Sequence, residues 1–416
     1  MKKVPNLRFK EFSGEWESNK IEKICDIITD YVAAGSFENI RNSVTYYNSE
    51  NFAQLVRTID LKSNFNNKDF IFVDEKAYNF LYRVNLNEDS IILPNIGANI
   101  GESYYVEPEK LPSENNVLGP NAILLRSEIN NTKYIYYLFN TKAFHKQLVQ
   151  IIGASGQPKF NKTELKQMKF YVPTIEEQEK IASFFSLIDK KIELQTEKVE
   201  ELKNYKKGLM QKIFSQELRF KDENGKKYPE WEEKKLENIV EFFKGNGLSK
   251  SDLSDNEDIP CVLYGELFTQ YDEVINVVKS RCLKDQGFKS EKYDVLMPTS
   301  DVTPEGLATA SCILVDDVCL GGDINVLRPK KYINGIFLSY QINHFKSLII
   351  RKVSGTTIKH IYVKDIKDIK YNIPCEKEQI KITDLLIQID NKIKFESLKV
   401  ESYNKLKKGL LQQMFI

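Results

Sequence analysis

The chain spells one long stretch twice. Residues 173–214 read PTIEEQEKIASFFSLIDKKIELQTEKVEELKNYKKGLMQKIF, and residues 374–415 read PCEKEQIKITDLLIQIDNKIKFESLKVESYNKLKKGLLQQMF. They align without a gap at a constant offset of 201, with 18 of 42 positions identical. Self-similarity on this scale constrains the fold before anything else does, because like segments need like surroundings. Both copies carry a heptad seam. Ile181, Phe185, Ile188, Ile192, Val199, Leu202, Leu209 and Ile213 keep one stripe in line on a helix, and Ile382, Leu386, Ile389, Ile393, Val400, Tyr403, Leu410 and Met414 repeat it. Polar residues interrupt the seam at matching places, Gln195 and Glu396, then Lys206 and Lys407. Such interruptions cost stability and fix register. If the helices pair antiparallel, Gln195 and Glu396 meet near a pseudo-twofold axis. A second reading, each helix packed on its own globule, uses the same stripe. A helix of about 38 residues spans roughly 57 Å at about 1.5 Å per residue, the length of a spacer.

The rest of the chain is duplicated as well. LRFKEFSGEWESNKIEKI (7–24) returns as LRFKDENGKKYPEWEEKKLENI (218–239), so Trp16 and Trp231 occupy equivalent places and read as anchors of equivalent cores. SIILPNIGANIGESYYV (90–106) corresponds to DVLMPTSDVTPEGLATASCILV (294–315). Each is a β-type run ending in Pro94 or Pro298, a polar loop with Gly, then a second β-type run. GPNAILLR (119–126) matches GGDINVLR (321–328), and helical stretches follow at 134–149 and 335–350. Ser-Gly turns come next, at Ser155–Gly156 and Ser354–Gly355, and a Lys-rich segment leads into each long helix. The order is globule (1–173), helix (174–214), globule (215–373), helix (374–416), an α+β chain built as a tandem duplication. Residues 31–88 and 243–292 resist alignment, as do the loops 95–101 and 299–306. A shared framework with divergent loops suits two similar bodies that present different surfaces.

Composition sets outer bounds. At 416 residues the chain has room for two or three domains, and its formal charge of +1 gives no global field for nucleic acid or membrane. The opening MKKVPNLRFKEF does not read as a signal peptide, and no stretch approaches 18 apolar residues. The six cysteines include no C-x-x-C pair and read as reduced thiols of a cytosolic protein. No dinucleotide or phosphate-cradling glycine motif, nucleophile elbow or H-E-x-x-H is present, and the two glycines of NIGANIG read as a tight loop. The DIK triplets at 365–370 lack a convincingly placed upstream Asp for a nuclease. No complete catalytic constellation emerges.

Basic patches are the better-supported feature. Lys159, Lys162, Lys166 and Lys169, and Lys364, Lys367 and Lys370, recur at spacings that share one face of a short helix, available to DNA phosphates or simply to solvent. Arg57, Lys62, Arg351, Lys352 and Lys359 add candidate phosphate contacts. Asn95, Asn99, Gln157, Thr299, Ser300, Thr356 and Thr357 offer the amides and hydroxyls that read base edges.

The whole chain resembles the specificity subunits of bacterial and archaeal type I restriction-modification enzymes. The resemblance rests on the duplicated architecture, SIILPNIGANIG, and the Ser-Gly turn before a strand ending in YVP or YNIP. Most specific are E-Q-x-K-I (177–181, 378–382), IDKKI or IDNKI, and KKGL. It implies that each globule is a target-recognition domain reading one half of a bipartite, asymmetric double-stranded DNA site. It further implies that the two helices form an antiparallel coiled coil, setting half-site spacing and docking two methyltransferase subunits. Restriction subunits, S-adenosylmethionine, ATP and magnesium belong, on the same resemblance, to the larger cytoplasmic complex; this chain itself holds no cofactor or metal. Two other classes remain open on the residues alone, a tandem-repeat coiled-coil scaffold that binds only protein and an enzyme whose site is assembled from loops.

Overall fold

The computed structural model describes residues 3–152, 158–254 and 256–416. It divides into two compact units, residues 1–196 with 398–416, and residues 197–397. The division cuts both long helices, Ile175–Phe214 and Glu376–Met414, near their middles. Each unit therefore contains a globule, the first half of the helix that follows it, and the second half of the other helix, running antiparallel.

In the first unit a four-stranded antiparallel sheet has the order Ile27–Asp30, Ala122–Arg126, Ser90–Pro94, Tyr104–Val106. Its central strands, SIILP and AILLR, are buried at every position, which needs cover on both faces. Ile91, Leu93, Ile123 and Leu125 face a core made with the helices Thr132–Phe139 and Lys142–Ile151. The alternate residues Ile92 and Leu124 face a second core shared with Leu55 and Val117 of a small sheet, Phe72–Val73, Ala53–Val56, Asn116–Leu118. The second unit repeats the scheme. Val295, Met297 and Leu327 point into its helical core, and Leu296 and Val326 into the core of a four-stranded sheet.

The stretches that resist alignment carry equivalent structure. Ala53–Val56 runs parallel to Asn116–Leu118, and Ile259–Val262 runs parallel to Cys319–Leu320. The next residue closes each pairing, Gly119 N–H donating to Val56 O (2.8 Å) and Gly321 N–H to Val262 O (2.9 Å). A Cβ on Gly119 would stand 3.2 Å from the Val56 oxygen, and one on Gly321 would stand 3.1 Å from the Leu248 oxygen, so the glycine persists in both copies.

The repeated motifs join globule to helix. Arg8, from the first LRF, makes a two-pronged pair with the buried Glu177 (2.8 and 2.7 Å), and Arg219, from the second, does the same with the buried Glu378 (2.8 and 3.0 Å). The adjacent glutamines brace the helix that packs under the sheet. Gln178 accepts from Asn131 N–H (3.0 Å) and Gln379 from Asn334 N–H (2.7 Å), while their amides donate to the carbonyls of Pro173 and Pro374. Trp16 and Trp231 are buried core residues, edge-on to Phe415 and Phe214 respectively at 6.4 and 6.5 Å.

Every seam position is buried or half-buried, while Leu187 and Leu194, off the seam, are 70% and 53% exposed. Ile181 and Phe185 pack with Leu411 and Met414 in the first unit; Ile382 and Leu386 pack with Met210 and Ile213 in the second. Lys206 and Lys407 are not left stranded in this apolar stripe. Lys407 pairs with Asp189 (2.5 Å), which also accepts from Tyr137 OH (2.8 Å). Lys206 pairs with Asp390 (2.7 Å), which accepts from Tyr340 OH, and also with Glu273 (3.1 Å). The aspartate of each IDKKI/IDNKI motif thus ties a lysine of the facing helix to a tyrosine of the globule. Glu396 is buried and accepts from Lys198 (3.0 Å); Gln195 is half-buried.

One expectation is corrected. The spaced lysines do not share one helical face as a set, because the helices Lys162–Gln167 and Val363–Ile366 are too short; only Lys162 and Lys166, four apart, lie together in one helix. Lys159 precedes the first, and Lys169 and Lys370 already lie in the strands Lys169–Val172 and Lys370–Ile373. Leu165, Met168, Ile366 and Ile369 are buried, and that anchoring turns the chain from helix to strand. All six cysteines are free thiols and five are buried, and burial pushes Cys261 up to about 12. Among the described residues no helix is long and apolar enough to cross a membrane. The Ser155–Gly156 turn lies outside the described residues; in its counterpart Gly355 has a φ of 107°.

Candidate nucleic-acid interface

Each unit ends its central strand with proline and then makes the same junction. In the first, Asn95 N–H donates to Asn121 O (3.2 Å), and Asn95 O accepts from Phe160 N–H (3.1 Å). In the second, Thr299 N–H donates to Asp323 O (2.8 Å), and Thr299 O accepts from Ile361 N–H (3.1 Å). Asn121 and Asp323 both have positive φ, 68° and 60°, a conformation that Asn and Asp tolerate better than most residues. Phe160 and Ile361 are buried, so each junction is pinned to a core.

That loop gathers several of the anticipated residues in the first unit. Gly97 and Gly101 sit at φ 95° and 93°, giving the tight turn. Gly97 N–H donates to Pro158 O (3.2 Å), and Ile96 bridges Lys159. Asn95 donates its side-chain amide to Phe160 O (3.1 Å). Lys62, at the end of the helix Thr58–Lys62, donates to Asn99 Oδ1 (2.8 Å) and to Glu102 Oε1 (2.7 Å). Tyr104 OH donates to the other Glu102 oxygen. Burial alone would raise the Glu102 pKa, but Lys62 and Tyr104 outweigh it and hold the carboxyl below its ordinary range. Lys62, Asn95, Asn99 and Lys159 are thus linked through one loop. Two basic residues are engaged elsewhere. Arg57 clamps the buried Asp60 (3.0 and 2.7 Å) at the start of its own helix, and Lys162 pairs with Asp30 (2.8 Å). Gln157 lies outside the described residues.

In the second unit Ser300–Asp301 pairs with Lys359–His360, and His360 also bridges Ser354. Ser300 Oγ lies 3.1 Å from His360 Nδ1. Lys359 Nζ donates to Gly355 O (2.7 Å); Thr356 and Thr357 are exposed beside it, and Arg351 is exposed after the helix Lys346–Ile350. Thr299 is 1% exposed with its hydroxyl donated to Asp323 (3.1 Å), so it holds the loop and offers no surface group. Four residues beyond the anticipated ones take part, Glu102 and Tyr104 in the first unit and His360 and Tyr362 in the second. His360 stacks on Tyr362 at 6.0 Å with 9° between planes, and Lys364 sits over the same tyrosine. The alternation of His360 and Tyr362 after a Ser-Gly turn was the available signal. The tips carry the exposed apolar residues Val302 and Ile358, 70% and 54% exposed.

Chemically the two loops offer ammonium, amide and hydroxyl groups with a few acceptors, the equipment for phosphate and base-edge contacts. Among the described residues no three His, Cys, Asp or Glu gather as metal ligands.

Known proteins match nearly the whole chain. The family described as type I restriction modification DNA specificity domain matches twice, over residues 13–204 and 228–407. A putative type I restriction enzyme specificity subunit, MjaX, of Methanocaldococcus jannaschii is 27% identical over 305 residues, 70% of each chain. The MjaVIII specificity subunit of the same organism is 24% identical over 353 residues, 78% of each chain. Among solved structures, the type I restriction-modification S subunit of M. genitalium superposes with a TM-score of 0.58 at 15% identity, covering 99% of both chains. A chain from a study of type I restriction-modification complex assembly and conformational transition gives 0.56 at 13% identity, covering 98% of this chain and 99% of that one. At these identities the structural likeness speaks for the fold.

Proposed function

Because the chain belongs to the type I restriction modification DNA specificity family, and so is a non-catalytic specificity subunit, we propose that each unit reads one half of a bipartite, asymmetric DNA site. The observation that carries this reading is the duplicated junction. The same backbone hydrogen bonds hold two loops of different side chains, NIGANIG in one unit and TSDVTPEG in the other. Equivalent positioning with unlike chemistry is what reading two unlike half-sites requires. Lys62, Asn95, Asn99 and Lys159 act in the first unit, and Ser300, Arg351, Thr356, Thr357 and Lys359 in the second.

The paired helices serve as the ruler between half-sites and, being duplicated, dock two methyltransferase subunits, through which restriction subunits join. S-adenosylmethionine, ATP and magnesium are held by those partners, and the assembly works in the cytoplasm. A chain of formal charge +1 grips DNA jointly with partners that complete the positive surface. The test is base-resolution mapping of adenine methylation in cells with and without this gene, the methyltransferase present throughout. A two-part motif that vanishes with the gene is expected; an unchanged map would refute the reading.

A further inference from the structure

We propose that Lys62 sets the hydrogen-bond polarity of the first recognition loop, holding Asn99 as a donor so that the half-site presents an acceptor edge where Asn99 meets it. The inference rests on the reading that this loop contacts bases, and it deepens that reading from a general surface to one position and one chemistry.

An asparagine amide reads either edge in principle, since rotation by half a turn exchanges its oxygen and nitrogen. The two asparagines of this loop have no such freedom. Lys62 has donors only, so the Asn99 atom 2.8 Å from its Nζ is the oxygen. The nitrogen of Asn99 is thereby turned away from Lys62, and among the described residues nothing accepts from it. Asn95 is fixed the opposite way. Its partner at 3.1 Å is the Phe160 carbonyl, which only accepts, so its nitrogen is committed and its oxygen remains. One loop thus holds a committed donor and a committed acceptor, four residues apart, on a backbone pinned at Asn95. The donor matches purine N7, guanine O6 or thymine O4 in the major groove, and the acceptor matches adenine N6 or cytosine N4.

Glu102 explains why Lys62 performs this role instead of gripping a phosphate. Its carboxylate lies 2.7 Å from the ammonium and is itself held by Tyr104, which neutralises the lysine and fixes its direction. Lys62 is therefore a positioning residue acting through Asn99.

The experiment uses the assembled methyltransferase complex and a library of DNA sites randomised in both half-sites, with the modified bases read by sequencing. Lys62→Met frees the Asn99 amide to rotate. Discrimination at a single base pair of the first unit's half-site should fall about tenfold, with the other half-site unchanged. Lys62→Arg, which keeps a donor facing Asn99, should retain the wild-type motif. Asn99→Asp removes the donor and should shift preference at the same base pair toward a donor edge. Uniform weakening across all sequences in Lys62→Met, the mark of a lost phosphate contact, would overturn the proposal. An unchanged motif in both Lys62→Met and Asn99→Asp would also overturn it. The wild-type complex in the same library reports separately on the underlying reading, which fails if no two-part motif appears.

Discussion

The buried carboxylates Glu177 and Glu378, each held by an arginine, differ by one further side-chain donor. Trp231 Nε1 donates to Glu378 (3.1 Å), whereas Trp16 Nε1 is buried without a partner among the described residues. Removing an arginine strands a buried carboxylate, at a cost of about 3–5 kcal/mol. Arg8→Met should therefore destabilise its unit more than Arg219→Met does, by about 1 kcal/mol, because Glu378 keeps one donor. The chain's only two tryptophans lie one in each unit, so urea unfolding followed in Trp16→Phe and Trp231→Phe backgrounds reads the units separately. The aspartates beneath the lysines give a second contrast. Burial holds the Asp390 carboxyl above its ordinary pKa, despite Lys206, and the nearby Glu273 adds to the rise. With its folded pKa raised, this group stabilises most in acid, and that contribution is lost as pH rises through the raised value. At neutral pH Asp390→Asn should then be mild, since Lys206 keeps Glu273. Asp189→Asn, which strips Lys407 of its carboxylate, should cost about 1–3 kcal/mol by the same unfolding measurement.

At the scale of elements, the heptad stripes were legible because period and burial are linked by geometry, and every seam position is covered in the structure. The strand runs SIILP and AILLR were legible for a related reason, since uninterrupted apolar residues require cover on both faces. The equivalence of residues 53–56 and 259–262 was not. Their pairing with 116–118 and 319–320 depends on backbone hydrogen bonds that many side chains satisfy, so the fold was kept while the residues diverged. The lysine spacing misled because a periodic pattern does not say where a helix stops; buried Leu165 and Met168 decide that. The loop positions of Lys62, Asn95 and Asn99 are visible in the sequence, but the contact between Lys62 and Asn99 joins residues 37 apart and has no local signature. The polar seam residues give the prediction that belongs here. Replacing Gln195 and Glu396 together with Leu should raise thermal stability or loosen helix register, read as a higher Tm or as a broader range of accepted half-site spacings. Unchanged values of both would show that neither residue specifies the pairing.

For the whole molecule, the ruler reading makes a quantitative demand. Matched four-residue insertions after Gln195 and Glu396 lengthen the helices by roughly 6 Å, about two base pairs of duplex. Methylation mapping should show the half-site sequences retained and their separation changed. The division of the helices between units also bears on how the chain is made. The first unit needs Leu411, Met414 and Phe415 in its core, and Leu7 N–H donates to Gln413 O (2.9 Å). The second unit is a single contiguous stretch, residues 197–397. At about 5–20 residues per second, the globule synthesised first waits roughly 10–40 s for the strip of helix that completes it. A chain halted at residue 397 should accordingly resist protease in its second unit and be cut in its first. During translation the seam around Ile181 and Phe185 stays uncovered until that strip arrives, and the expected order of folding is opposite to the order of synthesis.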